Sequence, residues 1–312
     1  MLCIDAKSLS KSYGSVNAVN KIDLSVKSGQ VFGFLGPNGA GKSTTIKLLT
    51  TLIPPSGGQL NILGENAIEN PLNVRNRIGV VLQQPSYEPT LSVEKSLEKY
   101  GMMWNVSQKE RKKRVEELIS EFDLQEIRKK RNEDLSIGQR RRVQVAREFM
   151  HDMELLFLDE PTVGLDPAAR RKLLDFLKSK VKTGLTIFFT THVLTEAEYI
   201  CDEIAIINKG KIITVDTPDE LKKRFGREKT IKIHLYEANE KIQNLLIDVK
   251  DCEIDFNTGT ITIHSGESEI VLMKILQILN DNSIAIEDLS AMPTNLEEIF
   301  LKVVEESNAP NN

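Results

Sequence analysis

The chain is poor in the residues that build small covalent or metal-stapled folds. Its 312 residues include three cysteines and four histidines. Cys3, Cys201 and Cys252 are far apart and have no paired histidines nearby, which excludes a disulfide framework and a Cys/His metal cage. A reducing compartment is the simplest setting for such a chain. No run approaches the ~18 apolar residues that a membrane-spanning helix needs. The opening Met1-Leu2-Cys3-Ile4-Asp5 lacks the basic-then-apolar order of a secretory signal. There is no basic surplus either. With 41 Lys and Arg against 45 Asp and Glu, the net charge is −4, so nothing global points to a nucleic-acid partner. What remains is a chain that is 40% hydrophobic, enough for real cores. At about 150 residues per domain it is long enough for two domains.

The most informative stretch is Gly36-Pro37-Asn38-Gly39-Ala40-Gly41-Lys42-Ser43-Thr44, which fits the phosphate loop G-x-x-x-x-G-K-[ST]. The apolar run Gln30–Leu35 before it reads as a buried strand, and Thr45–Leu49 after it as a helix start. The glycines Gly36, Gly39 and Gly41 let backbone N–H groups, those of Asn38 and Thr44 included, turn inward as an anion cradle at a helix N-terminus. Lys42 then reaches the β- and γ-phosphates, and the Ser43 hydroxyl is placed to ligate Mg²⁺. This reading implies a nucleoside triphosphate.

A second element completes the chemistry. Leu155-Leu156-Phe157-Leu158 is a continuous apolar run of the kind found in parallel sheets covered on both faces, and it ends in Asp159-Glu160. Ligands of such sheets lie at the carboxyl ends of the strands. Asp159 would therefore emerge beside the phosphate loop to help hold Mg²⁺, with Glu160 as general base for an attacking water.

Between and after these motifs lies the family resemblance. Leu135-Ser136-Ile137-Gly138-Gln139 resembles the LSGGQ signature of ATP-binding-cassette ATPases. Pro161–Pro167 resembles their D-loop, Thr190-Thr191-His192 the switch histidine, and Val80–Gln83 the Q-loop entry. Tyr13, in Leu9–Gly14, is similar to the adenine-stacking segment. The elements occur in family order and cover most of residues 1–225. The resemblance implies ATP and Mg²⁺ as ligands. It implies catalytic roles for Glu160, His192, Gln83 and Lys42, and metal contacts from Ser43, Gln83 and Asp159. Nucleotide contacts are implied for Tyr13, the phosphate loop and, from a second copy, Ser136, Gly138 and Gln139. Two nucleotide-binding domains pair head to tail in this family, each signature facing its partner's ATP. Ser136 is a favourable N-cap for the helix that follows, and a helix N-terminus attracts anions.

One position departs from the pattern. Ile137 stands where the family usually has glycine. A β-branched residue tolerates neither positive φ nor close backbone approach, so an altered signature turn or a weaker trans contact is expected.

The organisation follows. Residues 1–87 read as short apolar strands and turns. Residues 88–150 read as a charged helical lobe, with Ser92 as a cap and Val115, Leu118, Ile119 and Phe122 at helical spacing. Its basic clusters, Arg111–Arg114 and Arg128–Arg131, are diluted by glutamates and read as solvated faces. Residues 151–225 return to α/β alternation. From 226 to 312 the order is β-α-β-β-α-β, ferredoxin-like, with strands at 230–235, 252–256, 260–264 and 283–289, helices at 240–247 and 270–279, and a final helix from Asn295. This tail resembles the accessory domain of daunorubicin-resistance-type exporter ATPases.

The expected fold is therefore an α/β P-loop ATPase domain, 1–225, with a mixed core sheet and a helical lobe, followed by a small α+β domain, 226–312. The expected function is the ATP-hydrolysing subunit of an ABC-2 type exporter. It would work as a homodimer on a separate membrane permease and lie peripherally at the cytoplasmic face of the membrane. A soluble ABC ATPase acting on ribosomes or DNA, and a regulatory ATP-binding module without turnover, are the competing classes.

Overall fold

The computed structural model describes residues 1–308 apart from Pro85 and short stretches at 226–228, 237–241, 243–244, 247–248, 250–251, 256–257, 266–267 and 293–295. The chain divides into two compact units, Met1–Thr217 and Pro218–Asn312.

The first unit begins with a hairpin longer than the sequence implies. Strands β1 (Leu2–Tyr13) and β2 (Val16–Lys27) run antiparallel over twelve residues each. In β2, Val19, Ile22, Leu24 and Val26 are buried while Lys21, Asp23, Ser25 and Lys27 face out, the alternation of a strand with one solvated face. With β4 (Gly57–Ile62) and β5 (Glu65–Asn66) these strands form one sheet, in the order β2-β1-β4-β5.

The second sheet carries the motifs. Its order is β10-β9-β3-β8-β7-β6, with β3 at Val31–Leu35, β6 at Ile78–Val81, β7 at Leu155–Asp159 and β8 at Thr186–Thr190. Strand β9 (Glu203–Asn208) also lies parallel to β3, and β10 (Lys211–Asp216) returns antiparallel at the edge. Strands β3, β7 and β8 are buried at every residue, which explains why they read as unbroken apolar runs. The rings of Phe32, Phe34 and Phe157 gather around Phe188, with centroids 5.3–5.8 Å apart. Such offset and tilted contacts suit the aromatic quadrupole. Because β3, β6, β7 and β8 are parallel, the segments following Leu35, Val81, Asp159 and Thr190 all leave from one edge of the sheet. Phosphate loop, Gln83, Glu160 and His192 are thereby delivered to a common place.

The lobe is helical, as expected. Helix α3 (Val93–Met103) starts at Ser92, α4 (Gln108–Glu121) at Ser107 and α5 (Ile137–Glu148) at Ser136, each hydroxyl accepting a backbone N–H three residues on. Val115, Leu118, Ile119 and Phe122 are all buried. The second basic cluster is neutralised locally, since Arg128 binds Glu94 and Glu116 while Lys129 binds Glu94. Hydrogen bonds from Arg128 and Lys129 hold the Glu94 carboxyl down at about 2, below its usual 4.5. A carboxyl held down in the fold stabilises it above the ordinary value, and that contribution is lost as pH falls towards the depressed one. Glu94→Gln should therefore flatten the loss of thermal stability between pH 4.5 and 2. Circular-dichroism melts that fall in parallel for variant and parent would refute this.

The second unit, described by itself, starts with α8 (Pro218–Phe225). It contains a four-stranded antiparallel sheet in the order β12-β13-β11-β14, formed by Cys252–Asp255, Thr260–Ser265, Lys229–Leu235 and Ile286–Met292 respectively. The first strand sits inside the sheet, between the third and the fourth, as a split βαβ arrangement requires. Helix α9 (Ser268–Asp281) packs on it, and α10 (Leu296–Asn308) packs on α8. The last strand lies three residues later than the sequence pattern places it. Much of the helix expected at 240–247 lies outside the described residues, although Ile242 and Leu246 belong to this unit's apolar core.

Candidate active site

The phosphate loop leaves β3 at Leu35 and runs into helix α1, Lys42–Leu49. Its glycines are required for two different reasons. Gly39 and Gly41 hold φ of +80° and +110°, where a side chain is strained. At Gly36 space decides, because a Cβ there would lie 2.4 Å from the carbonyl oxygen of Ile207. Asn38, Gly39 and Ser43 are exposed and Thr44 is half-buried, so the mouth of the loop is open to solvent. The Lys42 ammonium turns back into the loop and donates to the carbonyls of Gly36 (2.7 Å) and Pro37 (3.1 Å). Burial lowers its pKa from the ordinary lysine value, against the pull of the Glu160 and Asp159 carboxylates.

Asp159 closes β7 and faces this loop. Ser43 Oγ donates to its Oδ2 at 3.2 Å, and Thr190 Oγ1 donates to its Oδ1 at 2.7 Å. Glu160, the next residue, is buried and holds a left-handed φ of +50°. A non-glycine residue in that region is strained and persists only where its surroundings fix it. Here they do. The Glu160 N–H meets the carbonyl (3.1 Å) and hydroxyl (3.2 Å) of Thr190. From the other side, buried Arg141 donates to the carbonyls of Asp159 (3.0 Å) and Glu160 (2.8 Å). The Glu160 carboxylate then receives Gln83 Nε2 at 3.2 Å and stands 3.3 Å from His192 Nδ1. The structure thus gathers Lys42, Ser43, Gln83, Asp159, Glu160 and His192. Gln83 is the glutamine that meets Glu160, whereas the backbone carbonyl of its neighbour Gln84 accepts from Gln144.

Arg141 carries no role in the sequence reading. On helix α5 it also donates to the Leu82 carbonyl at 2.8 Å, so one guanidinium joins the signature helix, the approach to Gln83 and the Glu160 turn. Burial pulls its pKa below the usual arginine range, opposed by Asp159 and Glu160. A signal was available, since Arg141, Gln144 and Glu148 are polar residues at the i, i+3, i+7 spacing of a buried stripe, and all three are buried. Glu196 was also missed. It accepts from Thr162 (2.9 Å) and Thr191 (2.7 Å) and so ties the segment after Glu160 to the one before His192.

The signature segment corrects one expectation. Ile137 is the first residue of α5, behind an extended Ser136 (φ −64°, ψ 164°), and is not among the residues with positive φ. A complete capping box joins Ser136 and Gln139, with bonds of 3.0 and 3.2 Å. The turn is an ordinary helix start that accommodates isoleucine. Gly138 is needed for packing within the chain, because a Cβ there would lie 2.3 Å from the Gly164 carbonyl oxygen. A carboxylate introduced at Gly138 would disturb this packing and does not isolate a trans contact. Asp166 caps helix α6 (Pro167–Val181), accepting from the N–H of Ala169 at 2.9 Å. Tyr13, at the end of β1, is exposed, with Lys11 Nζ 5.4 Å from its ring centre.

A bound Mg²⁺ would find a compatible donor set. The Ser43 hydroxyl and the Asp159 carboxylate already touch, and both are hard oxygen donors. Among the described residues no cluster of His, Cys, Asp or Glu side chains forms a metal cage. Magnesium sites on phosphate substrates commonly have this sparse form, with one or two protein oxygens beside phosphate and water.

Comparison with known proteins agrees with this geometry. Residues 19–163 match the ABC transporter family, and residues 217–304 match the C-terminal domain of DrrA1-3-like ATP-binding proteins. The chain is 34% identical over 303 residues to the linearmycin resistance ATP-binding protein LnrL of Bacillus subtilis, covering 96% of this chain and 97% of that one. It is also 34% identical over 308 residues to the daunorubicin/doxorubicin resistance ATP-binding protein DrrA of Streptomyces peucetius, covering 96% and 91%. Among solved structures it resembles the dimeric post-hydrolysis state of the ATP-binding cassette MJ0796 bound to ADP and Pi. That match has a TM-score of 0.64 and 25% identity, and covers 69% of this chain and 98% of that one.

Proposed function

We propose, since this chain belongs to the ABC transporter family and is an ATP-binding, ATP-hydrolysing subunit, that it powers a separate membrane permease that exports drug- or antibiotic-like compounds. The observation that carries the chemistry is the position of Glu160, whose carboxylate touches Gln83 and His192 on a turn fixed by Arg141.

ATP enters the phosphate loop, where backbone N–H groups and Lys42 hold its phosphates. The adenine stacks on Tyr13, an exposed ring with no partner in the apolar core. Ser43, Asp159 and Gln83 would hold Mg²⁺, which would supply positive charge against the phosphates. Glu160 takes a proton from the attacking water as its oxygen bonds to the γ-phosphorus. The bond from that phosphorus to the bridging oxygen breaks, and ADP and phosphate result. Gln83 and His192 orient the Glu160 carboxylate and the water.

The arrangement is completed by a second copy. Ser136, Gly138 and Gln139 lie at the start of α5, where the helix N-terminus favours an anion such as a partner's γ-phosphate, and the dimeric state of the MJ0796 cassette supports pairing of two copies. ATP binding closes the homodimer and hydrolysis reopens it.

The permease meets the first unit in a groove of about 530 Å³ between lobe and core, lined by Leu52, Val80, Leu82, Gln84, Tyr100 and Trp104. Its walls are largely apolar and aromatic, which suits an amphipathic cytoplasmic helix. Among the described residues no helix is long and apolar enough to cross a membrane. As the ATP-hydrolysing partner of that permease, the subunit sits peripherally at the cytoplasmic face of the membrane. The first unit is the ATPase domain, with its lobe at 88–150, and the second is the accessory domain.

The test is to mix the purified chain with the membrane protein encoded beside it, in proteoliposomes. A rise in ATP hydrolysis on mixing is expected. Stimulation by ribosomes or DNA, with none from the permease, would overturn the exporter reading.

A further inference from the structure

The start of α5 and the loop entering α6 interlock within one chain. A Cβ built on Gly164 would lie 2.8 Å from Ile137 Cγ2, as one on Gly138 would lie 2.3 Å from the Gly164 carbonyl oxygen. Gly164 also holds a φ of +79°, so no other residue fits there without strain. Ile137 places its branch methyl on this glycine and leaves the rest of its side chain in solvent, 64% exposed. A β-branched residue at a solvent-exposed helix position gains neither helix propensity nor core burial. Its specific contact is with Gly164.

From Gly164 the path to the reacting residues is short. The Leu165 N–H bonds the Thr162 carbonyl (3.1 Å) and the Val163 N–H the Glu160 carbonyl (3.4 Å). Thr162 is anchored on buried Glu196. The segment after Glu160 is therefore fixed at its Thr162 end by Glu196 and at Gly164 by Ile137.

We propose that Ile137 is a positioning residue, its Cγ2 methyl bracing Gly164 so that segment 161–166, and with it the Glu160 turn, keeps register with the start of α5. The consequence for catalysis rests on the head-to-tail reading above. There a partner's phosphate docks on the start of α5, and the brace transmits that docking to the chain's own Glu160. Isoleucine in this signature is thus a built feature and not a defect.

The test uses the full-length chain in two substitutions. Ile137→Val keeps a methyl at Cγ2. Ile137→Ala removes it while keeping Cβ and raising helix propensity. Hydrogen exchange of the amides of residues 162–166, read by mass spectrometry without nucleotide, reports the brace directly. Steady-state hydrolysis reports its use. Ile137→Val should match the parent in both. Ile137→Ala should exchange faster in this segment and lose about tenfold in kcat at unchanged KM for ATP, as misplacement of a reacting group predicts. Parental exchange and kcat in Ile137→Ala would overturn the brace. Equal losses in both variants would also overturn it, by assigning the effect to the exposed end of the side chain and hence to a contact with the second copy. The parent's rate against protein concentration separates the premise. Second-order dependence supports the paired site. A strictly first-order rate at concentrations where sedimentation with ATP shows only monomer removes the head-to-tail reading and the transmission to a partner, while the exchange data still decide the brace.

Discussion

Glu160→Gln keeps ATP binding and lowers turnover by about 10²–10⁴-fold, the usual contribution of a positioned general base. The substitution preserves the size and planarity of a side chain held between Gln83 and His192. It removes only the group that accepts the proton. If hydrolysis reopens the pair as proposed above, an ATP-bound dimer should accumulate, visible as a shift in size-exclusion elution with ATP and Mg²⁺. Single-turnover hydrolysis at the parental rate would remove Glu160 from this role.

Arg141→Ala has an effect of similar size from a residue that touches no nucleotide. Its guanidinium satisfies the carbonyls of Leu82, Asp159 and Glu160. The carbonyls of Leu82 and Glu160 keep longer bonds from Gln144 and Val163, at 3.4 Å each, while that of Asp159 loses its side-chain donor. A buried carbonyl left without a donor costs about 1–3 kcal/mol, so the thermal midpoint should drop. The strained Glu160 turn loses one of its two supports. Displacement of a reacting group by about 1 Å costs on the order of 10²-fold in rate. We expect that loss in kcat with ATP affinity within a few-fold of the parent, measured by nucleotide titration on protein still folded at the assay temperature. Arg141→Lys keeps a charge but loses the fork that reaches separate carbonyls, and should fall between the two. Parental turnover in Arg141→Ala would mean that Thr190 alone holds the turn.

The parts of this site that were legible in the sequence lie at the ends of parallel strands. Runs such as Leu155–Leu158 are continuous because both faces of the sheet are covered, and topology then delivers Asp159 and Glu160 to a fixed edge. What the sequence hid depends on direction within irregular or helical segments. Gln83 and Gln84 follow a strand whose burial gives no period, so only coordinates separate the residue facing Glu160 from its neighbour. Arg141 stands in a run of arginines where Arg140 and Arg142 serve other partners. At Ile137 the expectation of an altered turn fails for another reason. The glycine of the family pattern suggests a turn that needs it, whereas this third residue is the first of a capped helix, a position open to any side chain with ordinary φ. The twelve-residue hairpin strands were read as short because their bulges interrupt the alternation.

The groove beside the lobe also fixes what can be seen optically. The chain has a single tryptophan, Trp104. Its indole lies flat on the imidazole of His151, with ring centres 3.9 Å apart and planes within 5°. Burial depresses the pKa of that imidazole, which keeps the stacked ring neutral near physiological pH. Tryptophan emission of the native subunit, excited beyond the tyrosine band, therefore comes from one indole in one defined environment, at the wall of the groove. Any helix that settles there alters the polarity around that indole, so docking is reported by emission without a label and without background from a second tryptophan.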